Sequence, residues 1–132
     1  MSTPPRISIV IPVYNEERIL RQAVSELRER LAPFGWTYEI ILAENGSKDG
    51  TVRIGEELAA ELPGEVKIIS MGEPNYGRAL KEGILLSRGE FVVCEEIDLC
   101  DTDFHRRAIE ILETGEADLV IGSKLASGAE DE

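Results

Sequence analysis

An α/β fold, with a mostly parallel sheet covered by helices on both faces, is predicted by three features of the sequence. Uninterrupted β-branched runs such as Ile7 to Val13 recur, turns rich in Asn, Gly and Ser stand behind them, and an apolar pattern of helical period follows each turn. Strands that alternate with helices are joined by crossovers, so they run parallel and present their carboxyl ends along one edge. At 132 residues the chain fits one domain, 1–132, with 127–132 as a frayed polar tail. A domain of that size buries roughly two thirds of its unfolded-state surface, enough for a single core.

Ile7 to Val13 is the first strand, buried on both faces because no polar alternation interrupts it. Asn15 is expected to cap a helix in which Ile19, Leu20, Ala23, Val24, Leu27 and Leu31 recur at helical spacing. Glu16 and Glu17 would suit its first turn, and Pro33 and Gly35 would end it. Tyr38 to Ala43 is the second strand, followed by the turn Glu44-Asn45-Gly46-Ser47 and a helix from Thr51 to Leu62 that Pro63-Gly64 terminates. Ser47 or Asp49 is expected to cap that helix.

Val66 to Ser70 makes the third strand. The next helix, Gly77 to Ser87, carries Ala79, Leu80, Gly83, Ile84 and Ser87 on one side, and small residues there suit close approach to a sheet. Arg88-Gly89 turns the chain into the fourth strand, Phe91 to Cys94. Thr102 or Asp101 would cap a helix containing Phe104, Ala108, Ile109, Ile111 and Leu112, ended by Gly115, and Asp118 to Gly122 is the fifth strand.

Composition narrows the partners. A formal charge of −12 argues against a nucleic-acid backbone, whose binding needs a surplus of Lys and Arg. It also opposes any phosphorylated ligand unless a cation or a local basic cluster intervenes. No apolar span is long enough to cross a bilayer and no N-terminal signal pattern is present, so the expected compartment is the cytosol. Cys94 and Cys100 lack a second pair, which leaves zinc poorly supported and reduced thiols the simplest reading.

Ligands in open parallel sheets bind beyond the carboxyl ends of the strands. Those ends carry Pro12-Val13-Tyr14-Asn15-Glu16, Glu44-Asn45-Gly46-Ser47 and Glu96-Ile97-Asp98, three polar clusters that the fold would gather along one edge. The acidic triplet follows closely on the apolar run Phe91 to Cys94. Carboxylates two residues apart can both reach one hard divalent cation, the kind that holds diphosphates. A solvated acidic turn is the alternative reading.

Four stretches, Ile7 to Glu17, Asn45 to Thr51, Asn75-Tyr76-Gly77-Arg78-Ala79-Leu80 and Val120-Ile121-Gly122-Ser123-Lys124, occur in the order in which this chain resembles the glycosyltransferase family 2 enzymes with the GT-A fold. The resemblance is to the branch similar to dolichol-phosphate mannosyltransferases and runs from Ile7 to about Gly128. It implies a Rossmann-like three-layer α/β/α sandwich, a truncated GT-A domain corresponding to the N-terminal nucleotide-sugar-binding half.

By that resemblance Pro12 and Tyr14 flank the nucleotide base, and Glu16 accepts hydrogen bonds from ribose hydroxyls, a task suited to a carboxylate because it offers acceptors only. Where the family ends its second strand in an Asp-Asp pair, this chain has Glu44-Asn45; Asn45 supplies acceptor and donors, so base reading is expected with altered preference. The family's Asp-x-Asp element falls on Glu96-Ile97-Asp98. Asp98 would be the metal contact, and Glu96 a second one or a contact nearer the donor sugar or ribose. Mg2+ or Mn2+ would neutralise the diphosphate and stabilise a UDP or GDP leaving group. Arg78 and Lys124, inside matched motifs, would approach phosphates, while Lys81 fits a solvated basic face equally well. Glu95 and the single histidine, His105, are assigned no role.

The implied activity is transfer of a sugar from a UDP- or GDP-linked donor to an acceptor, a polyprenyl or dolichyl phosphate at the cytosolic membrane face. A noncatalytic nucleotide-sugar-binding or assembly module is the alternative. A receiver-like signalling domain would leave the run Pro12 to Glu16 without a task. In the family the acceptor site and catalytic base belong to a second half, expected to be missing here, so no catalytic base is assigned. A family strand from that half inserts between the fourth and fifth; without it the fourth strand would be an open edge, the fifth would lie beside it, or another copy would pair there as a homo-oligomer.

Overall fold

The computed structural model describes residues 5–94, 97 and 119–121. Its strands are β1 (Ile7–Val13), β2 (Tyr38–Glu44), β3 (Val66–Ser70), β4 (Phe91–Cys94) and β5 (Leu119–Ile121), and its helices α1 (Leu20–Leu31), α2 (Thr51–Glu61) and α3 (Tyr76–Leu86). The strands form one sheet in the order β3-β2-β1-β4-β5, with every pair parallel. The chain moves outward from β1 through β2 to β3, then returns through α3 to β4 on the other side. That reversal leaves a crevice beyond the carboxyl ends of β1 and its neighbours, where doubly wound sheets bind ligands.

All seven residues of β1 are buried, the polar Ser8 among them, as expected of a strand covered on both faces. Ile7, Ile9, Ile11 and Val13 point to one face with Ile40 and Leu42, where they meet Leu20, Val24, Leu27 and Leu31 of α1 and Leu58 of α2. Each such side chain removed from water stabilises the fold by roughly 1.5–3 kcal/mol. Val10, Ile41 and Ala43 point to the other face, which α3 covers through Ala79. A methyl at Gly83 would lie 2.6 Å from Val10 Cγ1, so the small-residue side of α3 is what lets the helix sit this close.

Helix starts depart from expectation at two places. The helix α1 begins at Leu20 rather than behind Asn15, and no acidic residue occupies its first turn. The Glu16 carbonyl instead accepts from the Ile19 and Leu20 N–H groups at 3.1 and 2.9 Å, closing a separate turn before the helix. Neither Ser47 nor Asp49 is the N-cap of α2; Gly50 holds that position with no side-chain cap bond, and Asp49 Oδ1 accepts the Thr51 N–H at 2.9 Å from one residue further out. Helix α3 is capped by Asn75, whose side chain accepts the Arg78 N–H at 3.0 Å. Beyond α1 a 3₁₀ turn, Ala32–Phe34, contains Pro33, and Gly35 follows at φ +68.

β5 pairs directly with β4, Val92 opposite Leu119 and Cys94 opposite Ile121. Of the three expected outcomes at this edge, the fifth strand has moved beside the fourth. The predicted helix around Phe104 to Leu112 lies outside the described residues.

At the amino ends of the strands, opposite the crevice, Glu39 is fully buried. Its carboxylate accepts from Ser8 Oγ at 2.5 Å, Lys67 Nζ at 2.8 Å and the Arg88 N–H at 2.6 Å, while Ser8 Oγ accepts the Gly89 N–H at 2.7 Å. Burial acts to raise the pKa of this carboxyl, and the Lys67, Ser8 and Arg88 hydrogen bonds outweigh it, holding Glu39 below the ordinary range. The cluster ties the turn after α3 to β1, β2 and β3.

Candidate functional site

A cavity of about 240 Å³ opens at the carboxyl ends of the strands, lined by Pro12, Val13, Tyr14, Glu16, Ile19, Asn45, Tyr76 and Ile97. Sheet register builds it: Val13 lies opposite Glu44, so Tyr14 and Asn45 leave their strands at one level, and the Asn45 N–H donates to the Val13 carbonyl at 3.0 Å. Pro12, Tyr14, Glu16 and Asn45, all expected at a ligand, are thereby brought together. Ile97, 7 % exposed, carries the middle of the acidic triplet to the same wall.

The loops after β1 and β2 are cross-braced. The Asn15 N–H donates to Ser47 Oγ at 2.8 Å, and the Lys48 N–H returns to Asn15 Oδ1 at 2.9 Å. One residue on, the Glu16 N–H donates to Thr51 Oγ1 at 2.8 Å. The Glu17 N–H donates to Asp49 Oδ2 at 3.3 Å, and Glu17 Oε2 accepts the Gly50 N–H at 2.8 Å. Slight desolvation acts to raise the Asp49 pKa, and its hydrogen bonds from Thr51 and Glu17 override that and hold it below its ordinary value. These reciprocal bonds fix the Glu16 loop against the Asn45 loop before any ligand arrives, the preorganisation a binding site requires.

Gly46 adds the third wall. At φ +85, a Cβ there would fall 2.5 Å from the Pro74 nitrogen, so glycine alone lets the β2 turn run against the segment that leads into α3. Tyr76, the first residue of α3, is thus brought to the cavity.

Asn45 is the polar group with most to say about a ligand. It is 7 % exposed, it lines the cavity, and its side-chain amide has no hydrogen-bond partner among the described residues. Leaving such a group unsatisfied costs roughly 1–3 kcal/mol, which a ligand with complementary edges would recover. Pro12, Val13, Tyr14, Ile19, Tyr76 and Ile97 make the remaining walls largely apolar or aromatic, the composition of small-molecule sites.

Other expected contacts are placed differently. Glu44 does not line the cavity: it is fully buried, accepting from the Ser47 N–H and from Ser70 Oγ, the latter at 2.6 Å. The reason is register. Glu44 lies opposite Ser70, so its carboxylate completes the β2–β3 contact. Arg78 also lies off the cavity wall, with its guanidinium 3.9 Å from Glu73 on an exposed surface. Glu96, Asp98 and Lys124 lie outside the described residues, and among the described residues no group of three His, Cys, Asp or Glu side chains could hold a metal. Burial pushes the Cys94 thiol up to about 11, which fits the absence of any assigned role. Ile19 and Tyr76 line the cavity without having been expected there; for Tyr76 the available signal was its place in the Asn75 to Leu80 motif.

Comparison with known proteins agrees with this architecture. Residues 8–132 match the family described as Glycosyl transferase family 2. The undecaprenyl-phosphate 4-deoxy-4-formamido-L-arabinose transferase of Pseudomonas fluorescens is 35% identical over 95 residues, covering 70% of this chain and 28% of that protein. An uncharacterized glycosyltransferase of Synechocystis is 38% identical over 97 residues, covering 72% of this chain and 30% of that protein. The chain therefore spans less than a third of the length of these relatives. Among solved structures, a mannosyltransferase from Pyrobaculum calidifontis in complex with GDP-Man and Mn2+ superimposes with a TM-score of 0.61 at 22% identity, over 74% of this chain and 28% of that one. That likeness shows a shared Rossmann-like GT-A fold. With the family match extending over nearly all of its residues, this chain belongs to glycosyl transferase family 2.

Proposed function

We propose that the cavity binds the nucleotide part of a nucleoside-diphosphate sugar, and that the protein moves the sugar to a polyprenyl phosphate. The observation that carries the reading is the convergence of Tyr14, Glu16 and the Asn45 side-chain amide, which bonds to no side chain or backbone group among the described residues, on one cavity at the carboxyl ends of parallel strands. Pro12 and Tyr14 flank the base, Asn45 reads its edge, and Glu16 accepts from the ribose hydroxyls. Arg78 and Lys124 serve the phosphates. The named relative from Pseudomonas fluorescens, an undecaprenyl-phosphate transferase, supports the lipid acceptor, and the GDP-Man and Mn2+ complex of the structural neighbour supports the donor and the metal.

Asp98 and Glu96 are the residues that would hold Mg2+ or Mn2+, and oxygen donors of this kind suit either ion. The bound ion supplies charge neutralisation of the diphosphate, a need set by the chain's formal charge of −12. Among the described residues no helix is long and apolar enough to cross a membrane. A polyprenyl phosphate would be met at the cytosolic membrane face, with the protein bound peripherally.

The test is release of UDP or GDP from the corresponding nucleotide sugar by the whole protein in the presence of undecaprenyl phosphate and Mn2+. Release that requires both the lipid phosphate and the ion, and that Asp98→Ala abolishes, is the expected result. Donor binding without release under any acceptor would instead leave a nucleotide-sugar-binding module.

A further inference from the structure

We propose that Tyr76 is a base-binding residue, a second aromatic wall that stacks with the nucleotide base together with Tyr14. The proposal rests on the nucleotide reading of the cavity and adds to it a residue from a different element. Tyr14 leaves the end of β1, whereas Tyr76 opens α3, some sixty positions later, yet both line the same cavity. They are 40% and 50% exposed, and both are among the large apolar side chains left most open to solvent. Two rings kept partly open at one cavity, instead of packed into the core that accommodates Ile9 or Leu42, fit a planar ligand.

The ring of Tyr76 is presented by a rigid support. Asn75 caps α3, Ala79 is fully buried against the sheet, and Gly83 allows the close approach to Val10. A side chain on a well-packed helix loses little further freedom when a ligand arrives, so its stacking energy is retained as affinity. The cavity, about 240 Å³, lies below the roughly 300–1,000 Å³ of sites that enclose a drug-sized molecule. That volume suits a ring system, with the diphosphate and sugar lying beyond it.

Stacking and edge reading divide the work. Every base has a π face, so Tyr76 favours any base, whereas the buried Asn45 amide, with both donor and acceptor atoms, distinguishes one edge from another. Loss of Tyr76 therefore lowers affinity without changing preference. Loss of Asn45 changes both.

The experiment measures dissociation constants of UDP, GDP and inorganic pyrophosphate, each with Mn2+, for the wild-type chain and for Tyr76→Ala and Tyr76→Phe. Tyr76→Ala is expected to weaken every nucleotide that the wild type binds by roughly tenfold, a value within the range for one base–aromatic stack. Tyr76→Phe, which keeps the ring, should stay within about twofold of wild type, a change of only a few tenths of a kcal/mol, and pyrophosphate affinity should not move. Unchanged nucleotide affinity in Tyr76→Ala, an equal loss in Tyr76→Phe, or a parallel loss of pyrophosphate would overturn the role of Tyr76 while the nucleotide reading stands. A wild-type chain that binds neither nucleotide would overturn both.

Discussion

Asn15 holds the Lys48 backbone, accepting its N–H on Oδ1 at 2.9 Å, while its own backbone sits at φ +52. An asparagine tolerates that left-handed conformation because its short polar side chain can bond locally. Here the bond is made across 33 positions of sequence, and it locks together the two loops that carry Glu16 and Asn45 to the cavity.

Replacing Asn15 separates the two contributions. Asn15→Gly keeps the left-handed backbone but loses the hydrogen bond, with an expected cost of about 1 kcal/mol. Asn15→Ala adds the left-handed penalty of roughly 1–2 kcal/mol. Urea unfolding of the two variants should therefore rank wild type above glycine and glycine above alanine, and a reversed order of the variants would contradict the backbone argument.

Asn45 should behave as a binding residue with no structural duty for its side chain. The Asn45 side-chain amide has no hydrogen bond to lose among the described residues, so Asn45→Ala is expected to change stability by less than about 1 kcal/mol. Nucleotide affinity should fall roughly tenfold, the size of one lost hydrogen-bonded edge of about 1.4 kcal/mol. Thermal unfolding and nucleotide titration on the same preparation check both halves; a large loss of stability with intact affinity would reverse the assignment.

Gly46→Ala should disturb the site at its scaffold. The new methyl would meet the backbone near Pro74 at a φ that side chains avoid, so a destabilisation of about 2 kcal/mol or more is expected. Because that segment leads into α3, nucleotide affinity should fall with it. Gly35→Ala, also at positive φ but with open space around it, should cost only the backbone term and spare binding.

Glu39 gives the fold an acid-sensitive tie. Its carboxyl is held below the ordinary value, so its contribution is fully present above the unfolded Glu pKa of about 4.3 and is lost as pH falls through the lower folded value. The stability difference between wild type and Glu39→Gln should therefore narrow as urea titrations move from pH 7 to pH 3. Lys67→Met removes the nearer of the two cations that face the buried carboxylate and leaves Arg88 Nε at 3.8 Å, so it should destabilise at pH 7 by less than the roughly 3–5 kcal/mol of a fully broken buried pair.

What could be read from the residues alone was whatever depends on local pattern. The apolar runs marked β1 to β4 within one residue, and the small side of α3 announced its close packing against Val10. Long-range partners were the obstacle. Asn15, Ser47 and Asp49 look like helix caps because their side chains suit that task, yet each bonds to the opposite loop, and no window of sequence displays the pairing. Glu44 has the chemistry of a ligand contact, but the offset of β2 against β3 puts Ser70 beside it. For Glu39, the partners Ser8, Lys67 and Arg88 come from three distant places, and a Glu near the start of an apolar strand signals none of them.

The most direct test of the account is the amide spectrum of the ¹⁵N-labelled chain titrated with UDP or GDP in the presence of Mg2+. Saturable shifts concentrated at Tyr14, Glu16, Asn45 and Tyr76, with the Glu39 cluster undisturbed, are predicted. Shifts gathered instead on the α1–α2 side around Arg21 and Leu62, or no shifts at all with either nucleotide, would contradict it.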